Sequence, residues 1–276
     1  MKTSIAPEDD AFGTPARPLR DISHEENEIA GHALDRGPRH SGRIRGASPP
    51  VLMPSAPSPA LARILPFAAY VAFMVLESVL PEQAVAGGPL GGKWLYALQL
   101  LATAALLAWL WPRYGELRAA GARAADWAVA VAAGLVVFVL WINLDLPWAR
   151  IGESRGLAEI AGTAPPLALL LLRAVGAALI VPVMEELFWR SFILRWIENP
   201  KFLEVDPRRT GWKAILVSSA LFGAEHHLWL AGILAGVAYA LLYRRTGSLW
   251  TVIVAHAVTN AALEVWVWRT GSFQFV

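Results

Sequence analysis

Two adjacent carboxylates, Glu185 and Glu186, close an apolar run that begins at Pro166, and Arg190 follows four residues after the second. Further along, Phe222 stands four residues before His226, and His256 stands four residues before Asn260. These are the side chains that peptide hydrolysis needs. A carboxylate and an imidazole can share the general-base work on a water, while a second histidine and an amide can donate to the oxyanion of a tetrahedral intermediate. Each four-residue spacing puts its pair on one helix face. Glu186 and Arg190 have the acid N-terminal, the favourable order for an ion pair, whereas Glu185 points about 100° away from Glu186. Arg190 is therefore expected to hold Glu186 and leave Glu185 facing a cavity.

The surroundings make these polar groups informative. The chain is 56% hydrophobic and 17% charged, against about 25% charged in a soluble domain, with a mean hydropathy of +0.45. Apolar windows of spanning length are expected at about 64–80, 95–111, 127–144, 166–187, 212–227, 228–243 and 249–268. The fourth continues as an amphipathic helix to near Ile197, where Asn199-Pro200 stops it. Tryptophans such as Trp94, Trp111, Trp127, Trp212 and Trp250 flank the windows as an aromatic belt. Arginines and lysines gather before the first window and after the second, fourth and sixth, so the N-terminus is expected in the cytoplasm. The fold expected is all-α, a polytopic transmembrane bundle of about seven to eight spans in the cell inner (plasma) membrane. Charge at the centre of a spanning helix costs roughly 2.5–3.5 kcal/mol per side chain. Two glutamates, two histidines and an asparagine on three windows are thus hard to dismiss as ornament, although Glu185, about 28 Å along its helix from Pro166, is also near the interface where a solvated pair could sit.

Other features bound the reading. Residues 1–60 hold nine of the nineteen prolines and no apolar periodicity, as a disordered tail does, with residues 61–276 the membrane domain. Met53 just ahead of the first window is an alternative start, and His24, His32 and His40 belong to the tail. No cysteine is present, which excludes disulfides and thiol catalysis. The sequence pI of 9.1 reflects topology signals, not nucleic-acid binding.

Glu185-Glu186-xxx-Arg190, Phe222-xxx-His226 and His256-xxx-Asn260 resemble, in order and spacing, the three motifs of the CAAX protease and bacteriocin-processing (CPBP, or Abi) family. The resemblance covers roughly residues 165–265. It implies a glutamate-dependent intramembrane endopeptidase acting on a membrane-embedded or lipid-anchored protein. In that implied scheme Glu185 and His226 activate the water, His256 and Asn260 form the oxyanion hole, and Glu186, Arg190 and Phe222 support them. Arg63-Ile-Leu-Pro-Phe, Glu225-His-His-Leu-Trp-Leu-Ala-Gly and Thr270-Gly-Ser-Phe-Gln-Phe are in turn similar to an exosortase-associated subgroup.

Members of the family are often labelled metalloproteases, and Glu185, His226 and His256 could serve as three zinc ligands; the preferred reading requires no cofactor. No H-E-x-x-H occurs. Gly152-Glu-Ser154-Arg-Gly156 fits G-x-S-x-G but lies in a charged loop without the strand that a nucleophile elbow needs. Arg173 and Glu77, at comparable depth, are expected to pair, and Gly232-xxx-Gly236 marks close packing inside the bundle. The competing functions are a non-proteolytic scaffold or immunity-type protein of the same fold, and an ion-coupled transporter. Lack of an inverted repeat argues against the transporter.

Overall fold

A computed structural model describes residues 57–80, 94–118, 121–152 and 167–275. The expected tail up to residue 56 and Ser154 and Gly156 of the G-x-S-x-G match lie outside the described residues. Within them every regular element is helical and no strand occurs.

Each apolar window became a helical rod. These are α1 (Pro59–Val79), α2 (Trp94–Leu110), α3 (Ala124–Asn143), a composite fourth rod, α7 (Trp212–Ala224), α8 (Trp229–Thr246) and α9 (Leu249–Thr270). The fourth rod runs without a break from α4 (Leu167–Val175) through α5 (Val181–Glu186) to α6 (Leu194–Glu198), joined by π-helical stretches at Gly176–Ile180 and Leu187–Ile193. Helix α1 starts five residues ahead of the expected Ile64, because Ser58 caps it through its Oγ to Leu61 N–H (3.2 Å) and Pro59 suits the first turn. Pro59–Val79, Trp94–Arg113, Ala124–Asn143 and Leu249–Thr270 are long and apolar enough to cross a membrane by length and composition, and α7 is a shorter apolar helix.

The distribution of side chains is inverted relative to a water-soluble protein. Val75, Leu101, Val136, Leu179 and Leu216 are exposed on the outer faces, while Arg63, Glu186, Arg190, Arg195 and Glu264 are buried. Apolar surface turned outward with charge inside is what a lipid surround requires. The protein is a helical membrane protein.

The core rests on close helix pairs: α7 against α8, α9 against α3, and α1 against α2. Small residues allow the approach. A Cβ on Gly236 would stand 2.9 Å from Ser219 Cα, and one on Gly232 would stand 2.9 Å from Gly223 Cα and 3.3 Å from His226 Cβ. The Gly232-xxx-Gly236 signal therefore works within the chain, pressing α8 onto the segment that carries His226.

The π-helical stretch before α5 has a local cause. Val181 N–H reaches Gly176 O, five residues back. In that wide register Ala177 O would take its proton from residue 182, and Pro182 has none to give. The orphaned carbonyl is satisfied from another helix, by Asn260 Nδ2 at 2.8 Å. A wide turn of this kind shifts the facing of everything after it, including the glutamates of α5.

Candidate active site

Glu186 is fully buried. Its Oε1 accepts from Arg190 Nη1 at 3.2 Å, four residues on, as the spacing predicts, and from His256 Nδ1 at 2.8 Å. The guanidinium also lies over the rings of Phe222 (4.3 Å) and Tyr239 (5.2 Å), so Arg190 is held by charge on one side and by π faces on the other. An ionised carboxylate only accepts, so His256 carries its proton on Nδ1 and turns Nε2 toward Glu185. The separation from Nε2 to Glu185 Oε2 is 3.9 Å, too long for a direct hydrogen bond and short enough for both to touch one water. Tyr239 stacks on the His256 ring (centroids 5.1 Å, planes 27° apart) and donates through its hydroxyl to Thr259 Oγ1 at 2.7 Å; Thr259 in turn reaches Gly134 O at 2.8 Å. Helices α3, α8 and α9 are keyed together behind the imidazole.

His226 follows the C-terminus of α7, where Nδ1 meets Phe222 O at 2.6 Å. A carbonyl can only accept, so Nδ1 bears the proton and Nε2 keeps its lone pair free. Trp141 packs edge-on to the ring at 5.3 Å, and Phe222 lies tilted against it at 4.5 Å. Glu185, His226, His256 and Asn260 line one cavity of about 170 Å³, with Phe222, Trp141 and Tyr239 as its apolar walls.

The seven motif positions thus converge as the helix spacing required. Glu185, His226, His256, Asn260 and Phe222 border the cavity; Glu186 and Arg190 stand behind His256. Asn260 has a second duty that its motif did not reveal, since one amide hydrogen serves Ala177 O. Among the described residues the ion pair of Arg173 is with Glu264 at 3.3 Å, where Glu77 was the partner expected. Similar depth does not fix which way a side chain points around its helix, and Arg173 faces α9, also at the cavity wall.

Glu225 is the functional-site neighbour that motif spacing missed. Its Oε1 accepts from Trp189 Nε1 at 2.9 Å, and one ligand atom each of Glu185, Glu225 and His226 lie within 4.8 Å of one another. Among the described residues this set, and not Glu185 with both histidines, forms the potential metal cluster. The signal available in the sequence was an acidic residue directly before a motif histidine at a helix end, where an interfacial charge looks the same.

Residues 167–262 match the family model described as type II CAAX prenyl endopeptidase Rce1-like. That segment runs from α4 into α9 and contains every motif residue of the cavity. The likeness to the CAAX protease and bacteriocin-processing family is borne out over these residues; the match does not extend to the exosortase-associated subgroup. No curated protein and no solved structure matches the chain.

Proposed function

We propose that this protein is a multi-pass intramembrane endopeptidase of the inner (plasma) membrane, N-terminus in the cytoplasm, cleaving a membrane-embedded or lipid-anchored protein. The observation that carries the reading is Glu185: its Oε2 is buried without a hydrogen-bond partner among the described residues, at the wall of a cavity shared with two imidazoles. The Rce1-like match over the same residues supports the reaction class.

On this reading Glu185, with the Nε2 lone pair of His226, takes a proton from a water held between them. The hydroxide attacks the scissile carbonyl carbon. The resulting oxyanion accepts from His256 and from the second amide hydrogen of Asn260. With Nδ1–H already given to Glu186, His256 donates to the oxyanion from Nε2 when that nitrogen also carries a proton. Collapse of the intermediate breaks the C–N bond, and the proton held by Glu185 passes to the leaving amine. No cofactor is needed for these steps; a divalent metal such as zinc on Glu185, His226 and His256 is the variant of the scheme that the motifs also allow. The narrower likeness to exosortase-associated proteins suggests a membrane-tethered protein or a sorting-signal remnant as substrate.

Membrane proteomics comparing wild type with Glu185→Ala tests the proposal. A substrate that accumulates uncleaved in the variant is expected; identical proteomes, together with preserved cellular function, would favour the scaffold.

A further inference from the structure

The cavity runs in one direction from the catalytic groups. On the fourth rod its lining residues are Arg173, Ala177, Val181 and Glu185, and none follows Glu185; on α9 they run from His256 to Glu264, and none precedes His256. The rungs Arg173–Glu264 and Ala177 O–Asn260 show that the rod and α9 are antiparallel, so both sets lead to the same end of the bundle. Phe275, past the end of α9, also borders the space. The ends of α3 and α7 belong to this side too: Ile151 N–H donates to His227 O and His227 Nδ1 to Ile151 O, both at 2.8 Å. His256 and Glu264 stand 8 positions apart, about 12 Å of helix, a depth that an extended chain covers with about four residues. The other end is filled. Leu187, Leu194, Ile215, Tyr243 and Val252 are buried past the catalytic groups, and Trp250 Nε1 donates to Leu117 O at 2.9 Å, tying the start of α9 to the loop after α2.

The filled end is also the cationic one. Arg113, Arg123, Lys201, Arg209, Lys213 and Arg245 stand at or beyond the helix ends there. At the cavity end the described cations are Arg150, Arg173 and Arg269, and the first two are paired with Asp145 and Glu264. Lysine and arginine are retained on the cytoplasmic side of a membrane, so the cavity and the cations face opposite ways. We propose that the cavity is entered from the non-cytoplasmic face, and that it receives a membrane-tethered protein whose scissile bond is presented on that face. The entrance is polar, with Arg173 and Glu264 in its wall and Arg173 Nε buried without a hydrogen-bond partner among the described residues. Charged groups inside a membrane bundle line water-filled space, and peptide groups outside regular structure are tolerated at membrane depth only in such space. An extended stretch of chain with its water therefore suits this entrance better than a lipid tail. The direction of opening stands by itself; the choice of substrate rests on the peptidase reading.

The chain has no cysteine, so single cysteines placed in the full-length protein report their side of the membrane to a charged, membrane-impermeant maleimide. Ala177→Cys, which keeps the carbonyl that Asn260 holds, and Leu263→Cys probe the cavity at two points; Gly121→Cys, where a side chain meets nothing within 4 Å, probes the cationic end. The cavity variants should be labelled in spheroplasts and not in inverted vesicles, and Gly121→Cys the reverse. Unfolding curves in detergent identify a variant that fails to fold, and the second cavity position then decides. Cavity variants labelled from inverted vesicles alone, or from neither side, overturn the proposal, as does Gly121→Cys labelled in spheroplasts. The protein that accumulates in Glu185→Ala cells should in turn be cut near its cleavage site by proteinase K added to spheroplasts; protection there, with cutting in inverted vesicles, overturns the choice of substrate. Labelling needs no substrate, so the expected labelling with no accumulating protein removes the peptidase reading, and the substrate with it, while the opening stands.

Discussion

The seven-residue π-helical stretch Leu187–Ile193 feeds two polar clusters, and the two differ in how completely their groups are paired. On one side Ser191 joins Arg63 and Glu116. Arg63 Nε meets Glu116 Oε1 (2.9 Å) and Ser191 Oγ (3.0 Å), Nη1 meets Pro59 O (2.7 Å), and Nη2 meets Glu116 Oε2 (2.5 Å), while Ser191 Oγ itself donates to Glu116. The cluster ties the start of α1 and the loop after α2 to the fourth rod. On the other side Arg190 joins Glu186 and His256, and here Glu185 Oε2, Glu186 Oε2 and Arg190 Nη2 are buried without hydrogen-bond partners among the described residues. Buried polar groups in native proteins are nearly always satisfied. A saturated cluster is a fastening; one with spare acceptors beside a cavity is equipped for a reactant.

The sharpest way to break this division is Glu185→Gln. Peptidase activity should fall by about 10²–10⁴-fold, with the thermal unfolding midpoint in detergent unchanged; full activity in that variant sinks the assignment. Arg63→Ala should do the reverse. Removing one partner of a buried ion pair costs about 3–5 kcal/mol, so unfolding should move sharply to lower temperature while activity per folded molecule is kept. A stable but inactive Arg63→Ala protein would mean that the fastening also takes part in the chemistry.

A smaller effect follows from Glu116, outside the spans. Burial pushes its carboxyl up, but the Arg63 hydrogen bond and charge, with the Ser191 hydroxyl, outweigh that and hold it below the ordinary carboxylate range. A depressed folded value means the contribution to stability is complete above the unfolded value and is lost as pH falls through the folded one. Unfolding midpoints between about pH 7 and pH 3 should therefore drop on the acid side, and Glu116→Gln should flatten that limb; an unaltered limb would remove Glu116 from the cause. The smallest change expected is Tyr239→Phe. Loss of the bond to Thr259 should cost about 1 kcal/mol, with activity nearly intact because the ring still backs His256.

Much of this was legible in the residues themselves. The seven apolar windows became rods because unbroken apolar length leaves the backbone little choice but to bond within itself. The Glu186–Arg190 pair and the turning of Glu185 toward a cavity followed from four-residue spacing. Other features were hidden for definite reasons. π-helical stretches use the same side chains as an α-helix, and Pro182 gave a hint only once its missing N–H was placed opposite Ala177 O. Arg173 was matched by depth to Glu77 because depth carries no information about azimuth, and Glu264 proved to be on the facing side. Glu225 was passed over because its partner Trp189 belongs to a different rod.

The hydrogen bond from Asn260 to the Ala177 carbonyl makes two distant positions one unit of inheritance. An ordinary residue in place of Pro182 would offer Ala177 a backbone donor close by, and the asparagine would lose its hold on the fourth rod. A change at Asn260, conversely, would strand a carbonyl that Pro182 cannot serve. Tolerance to substitution at either site should depend on which residue occupies the other, although 78 positions separate them in the chain.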